Sequence, residues 1–132
     1  MHLEIVTPRG RLLSAEVEEL SAPGVLGEFG VLPGHIPFLT GLRAGVLRYR
    51  EGAGGGVFAV GPGFVQVAAS DRIIVLSDDG VRAEKIDAAA AQKEHDELQA
   101  KLDHWDSDDP GLRAELEARK AWAEARLLAA GH

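Results

Sequence analysis

The composition of the chain changes abruptly near Ile86, and this change constrains the fold more than any other feature. Every valine and isoleucine lies at or before Ile86, together with all but two of the 16 glycines, whereas residues 87–132 are rich in alanine and acids. Since β-branched residues favour strands and alanine, leucine and glutamate favour helices, a β domain precedes a helical tail. The predicted fold class is α+β, with an N-terminal antiparallel β-sandwich over residues 1–86 and a C-terminal two-helix antiparallel hairpin over residues 87–132.

Short apolar runs separated by turn signals indicate many short strands in the first part of the chain. In residues 46–50, Val46, Arg48 and Arg50 share one face of a strand, and Leu47 and Tyr49 share the other. The linkers are short enough for hairpins. The segments predicted as strands are 2–7, 11–22 (one strand or two), 46–50, 57–60, 64–67 and 72–77.

The tail is predicted to form two helices separated near residues 106–111. Asp87 and Asp109, the latter followed by Pro110, are natural N-caps. A short loop between amphipathic helices favours an antiparallel hairpin. Because isolated helices of this length are marginal in water and the apolar stripes are narrow, we expect a weakly held hairpin that a partner offering slightly more burial displaces. The stripes are Leu98, Leu102 and Trp105 in the first helix and Leu112, Leu116, Ala123, Leu127 and Ala130 in the second.

The segment 27–39 combines turn-forming residues with large apolar ones. Its three glycines and two prolines exclude a helix or a long central strand. Six of its residues are nevertheless large and apolar, and Glu28 and His35 add one acid and one histidine. Two interpretations follow: a tight β-corner whose apolar residues fill the protein's own core, or a shaped loop that docks on a partner.

Composition excludes several classes of function. No cysteine is present, so the chain has no disulfide, zinc-thiolate site or thiol nucleophile. The net charge of -7 disfavours binding to nucleic acid or to anionic lipid. No apolar run approaches the ~20 residues that a membrane span requires, and no secretory signal is evident. We therefore expect no nucleic-acid partner, and contact with a membrane only through a partner protein.

Two motifs come close to ligand-binding patterns without matching them. The glycine cluster at 52–56 lacks the Lys-Ser or Lys-Thr and the following helix of a phosphate loop, so a flexible hairpin tip is the simpler interpretation. Residues 106–117 approach a calcium loop, but Pro110 occupies a ligand position, and capping and turn chemistry explain the acids. No nucleophile elbow or metalloprotease motif occurs. The sequence therefore predicts no catalytic residue and no metal site.

Residues 27–35, Gly-Glu-Phe-Gly-Val-Leu-Pro-Gly-His, resemble the signature loop of the epsilon-subunit family of bacterial F-type ATP synthases, called the delta subunit in mitochondria. The flanking segments 17–24, 37–40 and 45–48 agree with that family, as does the order of a β-rich half and a helical tail. The resemblance covers essentially the whole chain. It implies a non-catalytic central-stalk subunit of a proton-translocating ATP synthase, peripheral at the cytoplasmic face of the bacterial cell membrane.

The resemblance also implies partners and contact residues. The sandwich of such a subunit binds the gamma subunit and rests on the ring of c subunits, so that rotation of the ring reaches the shaft. In the loop, Glu28 and His35 would make polar contacts, while Phe29, Val31 and Leu32 would supply buried area. The implied c-ring interface comprises Glu28, Phe29, Gly30, Val31, Leu32, Pro33, Gly34 and His35.

A regulatory role of the hairpin is implied in the same way. In this family the hairpin either folds against the sandwich or extends along gamma to the alpha/beta catalytic head, where it impedes ATP hydrolysis. Basic residues on the second helix are then expected to meet acidic surfaces of the head. The candidate inhibitory contacts are Arg113, Arg119, Lys120 and Arg126.

The junction between the two halves resembles a motif, Ile-Asp-x-x-Arg-Ala, that takes part in ATP binding in some members of the family. In this chain Ala90 stands where the arginine would be. Because a guanidinium is the group best suited to hold a phosphate, we expect ATP to bind weakly or not at all, and we expect no other cofactor. Arg119 and Arg126 on the second helix could supply positive charge to such a site, but they could equally belong to a solvated face of the helix. The candidate nucleotide residues are Ile86, Asp87, Ala91, Arg119 and Arg126.

Two other functions stay open on the sequence alone. A stand-alone β-sandwich ligand-binding module with a helical dimerisation tail would need an exposed aromatic platform or a groove. A small metal-dependent β-barrel enzyme would need clustered histidine and carboxylate ligands on neighbouring strands, which the sequence does not display.

Overall fold

The structure, a computed structural model, describes residues 1–131. Within these residues, ten strands are followed by a 3₁₀ turn at Ala83–Lys85 and two α-helices, α1 (Ala88–Asp103) and α2 (Pro110–Ala130). The strands are β1 (His2–Thr7), β2 (Gly10–Glu16), β3 (Glu19–Gly24), β4 (Gly27–Val31), β5 (Phe38–Leu42), β6 (Gly45–Glu51), β7 (Gly54–Val60), β8 (Gly63–Ala68), β9 (Arg72–Ser77) and β10 (Gly80–Arg82).

The strands form one continuous sheet that folds over into two layers. One layer holds β4, β3, β6, β7 and β10, the other holds β5, β8, β9, β1 and β2, and they join where Gly24 pairs with Leu42. This architecture confirms the predicted fold class. One pairing corrects the expected all-antiparallel order, because β1 and β9 run parallel. No turn joins these two strands, which come from opposite ends of the domain, so local turn signals carry no information on their relative direction.

The core lies between the two layers and is built from alternate residues of the strands. In β6, Leu47 and Tyr49 are buried, while Val46 and Arg48 point to the other face, as the alternation predicted. Full burial of a leucine or phenylalanine contributes about 1.5–3 kcal/mol. The core consists of Leu3, Ile5, Val17, Leu20, Ala22, Val31, Leu42, Leu47, Tyr49, Phe58, Val60, Val65, Val67, Ile73 and Val75.

Glycine-rich segments contain strands that the sequence patterns do not indicate. The strands β4, β5 and β10 are absent from the predicted set, and 11–22 separates into β2 and β3. The flexible tip predicted at 52–56 is wrong for residues 54–56, which form the start of β7 and pair with residues 49–51 of β6. A Cβ at Gly56 would lie 2.6 Å from the hydroxyl oxygen of Tyr49, so this glycine makes room for the tyrosine.

Both predicted helices and both N-caps are present. The Asp87 carboxylate accepts from the Ala90 backbone N–H at 3.0 Å, and the Asp109 carboxylate accepts from Gly111 and Leu112 at 3.0 and 3.1 Å. The second cap gives Asp109 a structural role. This residue is one of the acids in the segment 106–117 that approaches a calcium loop. In α2, Leu116 and Ala123 of the predicted stripe are buried, but Leu112 is exposed.

The hairpin is seated on the sandwich through α2. The residues Ala125 and Ala129, outside the predicted stripe, pack with Ala59 on the outer side of β7. They are buried because α2 faces two neighbours, α1 on one side and β6 and β7 on the other. We call this contact the alanine seam. It is bordered by Ala44, Val46, Val57, Val81, Ile86 and Trp122.

Candidate interaction surfaces

Residues 27–39, which contain the loop on which the resemblance is based, form a corner at one edge of the sandwich. Strands β3 and β4 make a hairpin whose two-residue turn is Val25-Leu26. Gly27, directly after the turn, has a φ of +128°, and Gly34 in the next loop has a φ of +81°. Residues with a side chain rarely adopt φ values in this range, so glycine is required at these two bends.

The corner divides its apolar residues between the core and the surface. Val31 is 0% exposed and belongs to the core, whereas Leu32 and Leu39 are exposed and Ile36 is 76% exposed. The half-buried Phe29 packs edge-on against Phe38, with ring centres 5.5 Å apart. Each of the two interpretations of this segment therefore describes some of its residues. The expectation that Val31 supplies contact area is wrong, because its side chain is already enclosed by the protein's own core.

Glu28 and His35 line the same groove, which has a volume of about 360 Å³. The Glu28 carboxylate is exposed, accepts from the Ser21 hydroxyl at 2.6 Å and lies 3.5 Å from the Arg48 guanidinium. The His35 Nδ1 lies 2.8 Å from the Ile36 carbonyl oxygen, and its ring is 5.0 Å from that of Phe38. Both polar groups are thus oriented by neighbours while remaining accessible at the rim.

Asp71, which the sequence patterns do not single out, holds the loop of the corner in place. Its carboxylate accepts from the Gly34 backbone N–H at 3.0 Å, and its carbonyl accepts from the His2 backbone N–H at 2.9 Å. Asp71 has a φ of 56°, which aspartate tolerates better than most residues. The contact joins the β8–β9 turn to a loop 37 residues away, so no local pattern would have revealed it.

A second apolar surface lies on the outer face of the layer that contains β5, β8 and β9. Phe64, which is 58% exposed, and Leu76, which is 49% exposed, are cross-strand neighbours. Gly41 pairs with Phe64 on the other side, and a Cβ at Gly41 would lie 2.9 Å from the side chain of Val25, so Val25 covers this glycine. We call Val25, Phe64 and Leu76 the outer stripe. Exposed apolar residues in a continuous row are typical of a surface that contacts another protein.

The candidate nucleotide residues are only partly brought together. A cavity of about 250 Å³ between sandwich and hairpin is lined by Ile86, Asp87, Ala90 and Arg126, among others. Ala91 is buried, and Arg119 is exposed and does not line this cavity. Two of the charged groups that face it are already engaged, since Asp87 caps α1 and Arg126 pairs with Glu94.

Three of the four candidate inhibitory residues also form ion pairs within the hairpin. Their partners belong to α1 or to the next turn of α2. Arg119 is exposed and has no ion-pair partner among residues 1–131. The pairs are Arg113 with Glu117, Lys120 with Glu124, and Arg126 with Glu94.

Neither helix within residues 1–131 combines the length and apolar character of a membrane span. In the same residues no cluster of three or more histidines and carboxylates is arranged to hold a metal ion. What the structure does present is a small β-sandwich with an apolar corner, an apolar outer stripe and a separately seated helical hairpin. These features are typical of a protein that docks on other proteins.

Similarity to known proteins is extensive. Residues 1–83 match the family model for the beta-sandwich domain of the ATP synthase delta/epsilon chain. The ATP synthase epsilon chain of Anaeromyxobacter dehalogenans (strain 2CP-C) is 46% identical over 129 residues, covering 98% of this chain and 96% of that protein. The ATP synthase epsilon chain of Nitratidesulfovibrio vulgaris (strain DP4) is 41% identical over 128 residues, covering 96% and 94%. The chain therefore belongs to the ATP synthase delta/epsilon chain family, whose members are non-catalytic subunits.

Solved structures agree with this assignment. A chain in the cryo-EM structure of the Euglena gracilis mitochondrial ATP synthase (OSCP, F1 and c-ring) superposes with a TM-score of 0.82 at 27% identity. The match covers 98% of this chain and 80% of that one. A chain in the central stalk and c-ring structure of the Tetrahymena thermophila enzyme superposes with a TM-score of 0.70 at 19% identity, covering 98% and 96%, and supports the fold.

The role of Asp71 leads to a prediction for the Asp71→Gly variant. Glycine accepts the same backbone conformation but removes the carboxylate that holds Gly34. Since a hydrogen bond of this kind is worth about 1 kcal/mol, we expect the Gly34 amide to exchange with solvent about fivefold faster, as measured by NMR. Asp71→Asn, which keeps an acceptor oxygen, is the matched control and should exchange close to the native rate. Unchanged exchange in Asp71→Gly would show that the carboxylate does not hold the loop.

Proposed function

We propose that the chain is a central-stalk subunit of a proton-translocating F-type ATP synthase, located peripherally at the cytoplasmic face of a bacterial membrane. The observation that carries this proposal is the 46% identity to a bacterial ATP synthase epsilon chain over nearly the full length of both proteins. The subunit transmits rotation between the membrane ring and the shaft and carries out no reaction itself. No feature of the structure favours a stand-alone ligand-binding module over this role.

The corner is the proposed contact with the c-ring. Three features support it: Leu32 and Ile36 are exposed, Glu28 and His35 stand at the rim of one groove, and Asp71 anchors the loop. Apolar residues surrounded by polar ones are the usual composition of a protein interface. A loop braced from behind also transmits force better than a mobile one. The contact surface proposed here excludes Val31.

The outer stripe is the proposed contact with the gamma subunit. It lies on a sheet face that no described residue covers, and it leaves Phe64 and Leu76 largely exposed to solvent. Burial of such side chains against a partner contributes about 25 cal/mol per Å² of apolar area removed from water. A separate face for gamma leaves the corner accessible to the ring.

The hairpin is proposed to regulate hydrolysis by leaving the sandwich and reaching the alpha/beta head. The alanine seam supports this, because its fully buried residues, Ala59, Ala125 and Ala129, have small side chains and the larger residues that border it are only partly buried. In the seated state Arg119 is exposed, whereas Arg126 is engaged with Glu94. Of the candidate inhibitory residues, Arg119 is therefore the one available without any rearrangement.

Replacing Glu28 and His35 with alanine tests the corner. Losing two polar contacts of about 1 kcal/mol each should weaken attachment to the ring about 30-fold and lower proton pumping per ATP hydrolysed. The measurement is ATP-driven acidification of membrane vesicles beside their hydrolysis rate. The double variant Glu51→Ala/His104→Ala, which removes the same residue types from exposed positions elsewhere, should pump normally. Pumping that is equal in the two double variants would contradict the assignment.

Deleting residues 87–132 tests the regulatory role of the hairpin. The sandwich has its own core, so the truncated chain should fold and assemble, while hydrolysis by the complex should rise when the inhibitory element is lost. Arg119→Ala is expected to raise hydrolysis in the same direction, and Lys93→Ala, on the exposed side of α1, should not. Hydrolysis that stays constant after truncation would mean that the tail is structural only.

Calorimetry tests the proposal that ATP binds weakly or not at all. Ala90 brings no guanidinium to the cavity, and Arg126 is already paired with Glu94. Titration of the full chain with ATP should give no heat in the micromolar range, and the Ala90→Arg variant should bind more tightly than the native chain. A dissociation constant in the low micromolar range for the native chain would refute the proposal.

A further inference from the structure

Arg126, in the last two turns of α2, makes three contacts within the hairpin. Its Nη2 donates to Glu94 Oε2 of α1 at 2.6 Å. Its guanidinium lies over the ring of Trp122, 5.5 Å from the ring centre, and its Nε donates to the Trp122 carbonyl at 3.4 Å. The side chains of Arg126 and Glu94 are only 18% and 34% exposed, so salt and water screen this pair less than they screen a surface pair.

Trp122 connects this ion pair to the seat of the hairpin. It packs at the alanine seam together with Val81 and Ile86 of the sandwich side. Because Arg126 stacks on Trp122 and is fixed by Glu94, the orientation of the indole depends on the ion pair. One contact between the helices thus also acts on the contact between α2 and the sheet.

A second polar contact between the helices is weaker. The His95 Nε2 lies 3.3 Å from Glu124 Oε1, and Lys120 shares the same carboxylate at 3.7 Å. Glu124 is 49% exposed, so this contact is better solvated than the Glu94–Arg126 pair. We therefore assign the main ionic contribution to Glu94 and Arg126.

We propose that the Glu94–Arg126 ion pair is a latch that keeps the hairpin closed on itself and seated on the sandwich. The proposal rests on the function proposed above, in which the hairpin moves. The chain's own carboxylate holds Arg126 at the cavity that also contains Ala90 and Asp87. Closure therefore needs no bound anion.

Thiol labelling of the full isolated chain measures release directly. The native chain has no cysteine, and Ala125 is 2% exposed at the seam. In an Ala125→Cys background the thiol reacts only after α2 has left the sheet, so the labelling rate follows the open population even when that population is small. A Val65→Cys background, with the thiol in the sandwich core, reports unfolding of the sandwich and should label at a rate that the hairpin variants do not change.

The critical variant is Glu94→Gln, which keeps the size of the side chain and removes its charge. In the Ala125→Cys background it should label about tenfold faster, and Glu97→Gln, an exposed acid on the same helix, should label at the native rate. Adding Glu94→Gln to Arg126→Gln should change the rate little further, because the carboxylate has then already lost its partner.

Equal labelling of Glu94→Gln and Glu97→Gln would overturn the latch, whatever the hairpin does in the complex. A different outcome is that labelling confirms the latch while truncation of residues 87–132 leaves the rate of ATP hydrolysis constant. In that case the latch stands and the proposed regulatory function is rejected. The two failures are therefore distinguishable. An effect of Glu94→Gln that appears equally in the Val65→Cys background would also overturn the proposal, since it would reflect loss of the whole fold.

Discussion

The hairpin meets the sandwich through alanines, and the behaviour of the rest of the molecule depends on this contact. Ala125 and Ala129 of α2 approach Ala59 of β7 closely, but methyl groups bury little apolar area. The core between the two layers buries much larger side chains, including Phe58, and does not use the hairpin. The sandwich thus has a core of its own, while the hairpin is held by a seam of buried alanines, by the partly buried residues around them and by a few charged contacts. On the proposed function, one short chain combines a permanent part with an exchangeable part.

The permanent part presents stiff surfaces. The corner is braced by the Phe29–Phe38 ring contact and by the Asp71 carboxylate on Gly34, and the outer stripe lies on paired strands. Preformed surfaces lose little conformational entropy on binding, which favours tight association with neighbouring subunits. Such rigidity suits a part that passes torque. The ion pair between Glu94 and Arg126 gives the hairpin a different property, because it contributes a pair of charges rather than a fitted apolar surface.

Patterns that act over a few residues were predictable, and contacts between distant residues were not. Alternation assigned Leu47 and Tyr49 to the core, and capping chemistry located both helix starts, because each depends on neighbours along the chain. The parallel β1–β9 pair, the anchoring of Gly34 by Asp71 and the packing of Gly56 on Tyr49 all join separate elements. The division of the corner followed the same rule, since only the fold reveals that Val31 points inward while Ile36 points outward. The resemblance located the corner but not Asp71, which anchors its loop.

Hydrogen exchange measured by mass spectrometry, on the free chain and on the assembled ATP synthase, tests the central claim most directly. If the corner and the outer stripe are passive docking surfaces, peptides covering residues 27–39 and 63–77 become strongly protected in the complex, while those from β2, which belongs to neither surface, change little. Residues 27–39 that exchange as fast in the assembled enzyme as in the free chain would contradict this docking role.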